Sequence, residues 1–287
     1  MLNTILIGLS TGSVMVLIAS GLSLVFGMLG VVNFAHGALY MVGAFAGVEV
    51  VSRSGSFVAG LIAAPLVVAG LAALIEAFLL RPIYKHAHEK QLLLTFGLLI
   101  LIEEMARAIW GLDYRRIDVP QMFATQATLF GESLPMYRLF VLALGVVVSV
   151  LLVLMIERTQ LGMVLRAAMS NTQMVRALGI PVSRYRTLVF ALGGALAGIG
   201  GVIAAPLLPV QVNMGGTIIL DSFIVVIVGG LGNIAGAVAA AFALGLVQAF
   251  GQQYAAEWIS TLTYVLLVIV LLIRPQGIFS KSEGRKA

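Results

Sequence analysis

The sequence predicts an all-α polytopic integral membrane protein with about eight to nine transmembrane helices and one amphipathic helix on the cytoplasmic side. Three observations predict it. The chain of 287 residues is 61% hydrophobic and only 10% charged, with a mean hydropathy of +1.09. A soluble fold needs about 25% charged residues to cover itself in water, so the outer surface of this chain must face lipid. The apolar residues fall into stretches long enough to cross a hydrocarbon core, and the basic residues gather in three of the segments between them.

The stretches lie near 4–27, 34–52, 57–80, 92–111, 137–156, 187–207, 217–231, 234–250 and 258–273. Only a few Gly-rich residues separate those on either side of Gly27–Asn33, and likewise at Gly229–Gly236, so one stretch is open to being a broken or re-entrant helix. The first stretch lacks a basic flank, since no Lys or Arg precedes Arg53. It reads as a retained span rather than a cleaved signal. The whole chain, 1–287, is expected to form a single transmembrane domain.

Most of the 17 basic residues lie in 81–90 (Arg81, Lys85, Lys90), in 157–186 (Arg158, Arg166, Arg176, Arg184, Arg186) and in the tail (Arg274, Lys281, Arg285, Lys286). Placing all three on the cytoplasmic side gives nine crossings with the N-terminus outside and the C-terminus inside. The segment 112–136 then lies outside as a short ordered loop, too small for a domain.

Several functions are excluded. The chain has no Cys, hence no disulfide, thiol nucleophile or thiolate metal site. It contains no GxxxxGK[ST] loop and no HExxH or comparable catalytic set. Of its three His, two (His86 and His88) fall in a cytoplasmic loop. The chain is therefore expected not to be an enzyme, to bind no cofactor or metal, and to leave any ATP to other chains. Its positive charge answers to membrane lipid rather than nucleic acid.

Between Met163 and Leu178 the polar segment has the pattern of a helix with apolar side chains at Met163, Val164, Leu165, Met169, Met174, Val175 and Leu178. Gly179 and Pro181 then stop it. Such a helix either lies on anionic lipid or docks on a cytoplasmic partner. Its Arg166-Ala167-Ala168 opening and Arg176-Ala177-Leu178-Gly179-Ile180-Pro181 ending resemble the cytoplasmic loop through which bacterial ATP-binding-cassette importers engage their ATPases. Arg166 stands where that pattern has an acid.

Two further blocks carry a resemblance. The run from Gly21 through Asn33, His36, Gly37 and Tyr40 to Gly43 resembles the N-terminal signature of high-affinity branched-chain amino acid permeases of the LivH type. Val228-Gly229-Gly230-Leu231-Gly232-Asn233-Ile234-Ala235-Gly236 is similar to a second block of that family. The resemblance implies a multi-pass permease of the bacterial inner membrane that moves branched-chain or other hydrophobic amino acids by alternating access. It also implies a second related permease, two cytoplasmic ATPase subunits and a periplasmic solute-binding protein as partners. ATPase-coupling residues would then be Arg166, Ala167, Ala168, Arg176, Ala177 and Gly179. Urea and short-chain amides are the alternative substrates. An ion-coupled secondary transporter using Glu103, Glu104 or Asp221 is the alternative mechanism.

Polar groups at membrane depth face the protein interior or a water path. Asn33 and His36 thus have two readings: a helix cap with a local hydrogen bond, or, with Gly37, Gly232 and Asn233, the lining of a substrate path. Glu103 and Arg107, four residues apart, are expected to pair on one helix face. Glu76, just before Arg81, is expected to snorkel toward the interface.

Overall fold

A computed structural model describes residues 1–129, 132–274 and 277–279; the basic tail residues Lys281, Arg285 and Lys286 lie outside them. Ten α-helices account for most of the described chain. Helix α1 (Leu2–Leu29) ends at Gly30, whose φ of 69° lets its N–H return to the Phe26 carbonyl. Helix α2 (Ala35–Ser54) is followed by α3 (Phe57–Leu74), which Ser56 caps by accepting from the Ala59 N–H. A π-turn (Ile75–Leu80) and a 3-10 turn (Arg81–Ile83) extend α3. Next come α4 (His88–Trp110), an antiparallel hairpin of β1 (Gln126–Leu129) and β2 (Glu132–Pro135), and α5 (Met136–Arg158). The polar helix α6 (Gln160–Ala177) leads into α7 (Val182–Ala204), α8 (Met214–Gly229), α9 (Ile234–Tyr254) and α10 (Ile259–Ile273).

Each apolar stretch of the sequence overlaps one of these helices. Six of the described helices are long and apolar enough to cross a membrane: α1, α2, α3 with its extension, α5, α7 and α9. Helix α8, of 16 residues, is shorter, and α4 carries Glu103, Glu104 and Arg107 along an otherwise apolar face. Two boundaries differ from expectation. Helix α7 begins at Val182, so Arg184 and Arg186 stand on its first turns rather than in a loop. Helix α6 starts at Gln160 and is broken at Asn171, which has φ −153° and ψ 90°.

Close backbone approach holds the centre together, as suits a medium in which apolar side chains gain little by leaving lipid for protein. Helix α1 runs antiparallel to α9: a Cβ on Gly245 would stand 2.4 Å from the Gly8 carbonyl oxygen. Helices α2 and α7 run parallel, Gly43 facing Gly198 and Gly201 facing Tyr40, where a Cβ on Gly201 would stand 2.4 Å from the Tyr40 carbonyl oxygen. Helix α3 crosses the other side of α7, with Gly198 over Pro65 and Gly194 over Ala72. Large apolar side chains of α3, α4 and α5 (Leu66, Ile100, Val147 among them) point outward.

The bundle has two distinct ends. The hairpin end holds the N-terminus of α1, where Arg138 of α5 donates to the Ser10 hydroxyl (3.0 Å). The other end holds α6, against which Gly27 of α1 packs through Met169.

Candidate functional site

Two helices begin inside the bundle rather than at its surface. The His36 ring nitrogen Nε2, in the first turn of α2, lies 3.0 Å from the carbonyl of Ile18 in α1. At 1.5 Å per residue, Ile18 is about 16 Å short of the end of α1. The residues Gly30–Phe34 therefore carry the chain back into the bundle, Gly30 turning in the left-handed region and Phe34 already in helical conformation. Helix α8 starts at the same level. A Cβ on Gly37 would stand 2.2 Å from the Gly215 carbonyl oxygen, and Glu103 of α4 accepts a hydrogen bond from the Gly216 N–H (3.1 Å). Irregular backbone at such depth is tolerated where protein or a cavity surrounds it.

Around this junction the polar groups are sparsely satisfied. Asn33 is 2% exposed, and among the described residues neither its Nδ2 nor its Oδ1 has a hydrogen-bond partner. It does not cap α2, because the N-cap is Phe34 and no side chain caps that end. His36 is fully buried and bonds across to α1 rather than locally. With Nε2–H donating to Ile18, Nδ1 presents a lone pair, and no partner meets it among the described residues. On the opposite side of the segment, Phe34 makes edge contacts with Phe96 of α4 and Phe223 of α8 at 5.8 and 5.0 Å. The junction thus offers an amide, an imidazole nitrogen and an aromatic wall, with Gly37 thinning the barrier between α2 and α8.

Gly232 and Asn233 lie elsewhere, at the α6 end. Asn233 caps α9 by accepting from the Gly236 N–H (3.1 Å), and its amide donates to the Phe279 carbonyl (2.7 Å). Gly232, with φ 78°, makes the turn beneath Gly27. A cavity of about 770 Å³ opens here, lined by Ser23, Glu157, Arg166, Met169 and Asn233 among others. Residues read together from the sequence thus fall in two places, one at mid-depth and one beside α6.

Helix α6 is two short helices. Asn171 accepts from the Met174 N–H (3.0 Å) and so caps the second. The signal was Ser170-Asn171-Thr172, three residues that favour caps over helix interiors. Leu165, Ala168 and Val175 face inward, while Met163, Met174 and Leu178 are exposed, as are Arg166, Ala167, Arg176 and Ala177. Gly179, at φ 79°, terminates the helix with its N–H on the Arg176 carbonyl.

Two charge expectations are corrected. Arg107 pairs with Glu104 (2.9 Å), not with Glu103, because Glu103 is turned toward the start of α8. Glu76 does not snorkel. Its side chain is fully buried and accepts from Arg81 (2.9 Å), Thr187 (2.6 Å) and Tyr84 (3.2 Å). The sequence shows Glu76 near Arg81, but the third element of the set, Thr187, is 111 residues away.

Residues 4–271 match the family model described as the branched-chain amino acid transport system permease component. The chain belongs to the branched-chain amino acid transport permease family. It is 29% identical over 300 residues to the permease protein BraD of Pseudomonas aeruginosa, a match covering 97% of this chain and 95% of the relative. Against LivH of Escherichia coli K12 it is 26% identical over 295 residues, with the same coverage. A probable LivH of Methanocaldococcus jannaschii is 28% identical over 284 residues, covering 93% of this chain and 88% of the relative. No solved structure matches the chain at a significant level. It is accordingly a multi-pass membrane transport protein rather than an enzyme.

Proposed function

We propose that this permease is the membrane-spanning subunit of an ATP-driven importer of branched-chain or other hydrophobic amino acids in the inner membrane. The observation that carries the proposal is α6, a polar helix at one end of an apolar bundle. It presents Met163, Met174 and Leu178 outward together with Arg166 and Arg176 and is held at its end by Gly179. That is the surface of a helix that enters a partner's groove. The partner is a cytoplasmic ATPase, which fixes the α6 end as the inner side and agrees with the basic residues gathered there. A second related permease and a periplasmic binding protein complete the assembly.

In this reading ATP-driven closure of the ATPases displaces α6 and, through α5 and α7, tilts the bundle to switch access. The substrate passes the junction of α2 and α8, where Asn33 and His36 offer hydrogen bonds, Gly37 keeps the helices close and Phe34 offers apolar surface. Gly232 and Asn233 shape the inner exit beneath it.

The test is uptake of labelled leucine into proteoliposomes that contain the whole assembly. ATP-dependent leucine uptake that Ala177→Glu abolishes is the expected result. Ala177 is the position to change because it is exposed, whereas Ala168 is buried. Leucine uptake by the permease alone under an ion gradient would establish a secondary carrier instead. ATP-dependent uptake of urea in preference to leucine would move the substrate to short amides.

A further inference from the structure

The π-turn at the end of α3 brings Glu76 and Arg81 together. In an α-helix, residues five apart point to different faces, but in a π-turn, with i→i+5 hydrogen bonds, they stack. The Arg81 N–H indeed donates to the Glu76 carbonyl, and the guanidinium reaches the same residue's carboxylate at 2.9 Å. Thr187, on α7, donates to the same carboxylate oxygen, and the Arg81 guanidinium in turn donates to the Thr187 hydroxyl. Tyr84 supplies a third donor to Glu76. Burial and the neighbouring carboxylate push the Tyr84 phenol above its usual range, which keeps it a proton donor. The Arg186 guanidinium lies over the Tyr84 ring, 4.9 Å from its centroid. Two consecutive α7 residues are therefore fastened to the end of α3.

The place of this attachment gives it a role. Helix α7 starts at Val182, just beyond the Gly179 stop of α6, so any displacement of α6 enters α7 at the turns that carry Arg186 and Thr187. Farther along, α3 and α7 are already in close contact through Pro65, Ala72, Gly194 and Gly198. We propose that Glu76 is a positioning residue for transport coupling: it ties the first turns of α7 to the π-turn of α3, so that motion of α6 moves both helices as one body. The inference rests on the importer reading above. A buried carboxylate meeting three donors from two segments, the turn after α3 and the start of α7, holds one geometry well, because leaving a buried carboxylate unpaired is expensive.

The experiment compares Glu76→Gln, Thr187→Val and Thr187→Ser in the complete reconstituted assembly, with ATP hydrolysis and leucine uptake measured side by side. Glu76→Gln and Thr187→Val are expected to assemble and hydrolyse ATP, while leucine carried per ATP falls by about tenfold and about threefold respectively. Thr187→Ser, which keeps the hydroxyl, restores the wild-type ratio. An unchanged ratio in Glu76→Gln and Thr187→Val overturns the proposal. So does loss of assembly or a parallel fall of hydrolysis and uptake in both, since either makes the tie merely structural. A wild-type assembly without ATP-driven leucine uptake would remove the importer reading itself, a distinguishable failure.

Discussion

At the α6 end of the bundle, Glu76 is sealed from solvent and meets donors from Arg81, Tyr84 and Thr187. Deeper in, Asn33 is nearly as buried and meets none among the described residues, and His36 beside it uses one nitrogen of two. The same lipid-facing scaffold treats two polar sites in opposite ways. An unpaired buried carboxylate would cost too much to keep, so Glu76 survives only saturated, and saturation makes it a fixed joint. An unpaired amide costs about 1–3 kcal/mol, which a fold can carry where something polar visits. Under the proposed function, the contrast would separate a joint for transmitting motion from a junction for substrate.

The largest effect is expected at the junction itself. In Gly37→Val the new side chain would collide with the backbone of Gly215, since even a Cβ would stand 2.2 Å from its carbonyl oxygen. Uptake should fall by at least about a hundredfold, and α8 should lose its seat, lowering the yield of monodisperse protein on gel filtration. Normal uptake by this variant would show that α2 and α8 do not need their close approach.

The contrast between the two polar sites is sharpened by placing Leu at each. Glu76→Leu removes the acceptor that Arg81, Tyr84 and Thr187 share and should cost about 3 kcal/mol in unfolding titrations in detergent. Asn33→Leu removes two groups without partners among the described residues, so stability should not fall and should rise by up to about 1–3 kcal/mol. Its leucine uptake should nevertheless drop by about tenfold. If Asn33→Leu proves as destabilising as Glu76→Leu, Asn33 has partners in the working protein and the contrast fails.

The smallest effect is expected at the exposed Glu104–Arg107 pair. Glu104→Gln should change stability by less than about 0.5 kcal/mol, because water screens such pairs, and should leave uptake unaltered.

Much of this was legible in the sequence, for identifiable reasons. Apolar length and charge placement revealed the helices because lipid leaves a chain few other options. The Gly179–Pro181 stop of α6 was visible because backbone chemistry imposes it locally. The depth at which α2 and α8 start was not: the Gly-rich breaks left one stretch open to being broken or re-entrant, and the Ile18–His36 and Gly37–Gly215 contacts place both starts. Glu76 was misread for the same kind of reason, as its environment depends on Thr187 in another helix. Asn171 stood in view, yet its neighbours Met169 and Met174 kept the helical pattern intact across the break.

The antiparallel seating of α1 on α9 also governs how this protein can be made. The Thr4 hydroxyl donates to Gln253, 249 residues later in the chain, and Gly8 and Gly12 are covered by Gly245. At about 5–20 residues per second on the ribosome, α1 enters the bilayer roughly 12–50 seconds before α9 exists. During that interval its glycine face has only lipid, or the helices made between α1 and α9, against it. The last third of the chain therefore closes the structure around the first helix, and a truncation before α9 would strand α1 as an exposed target for quality-control proteases.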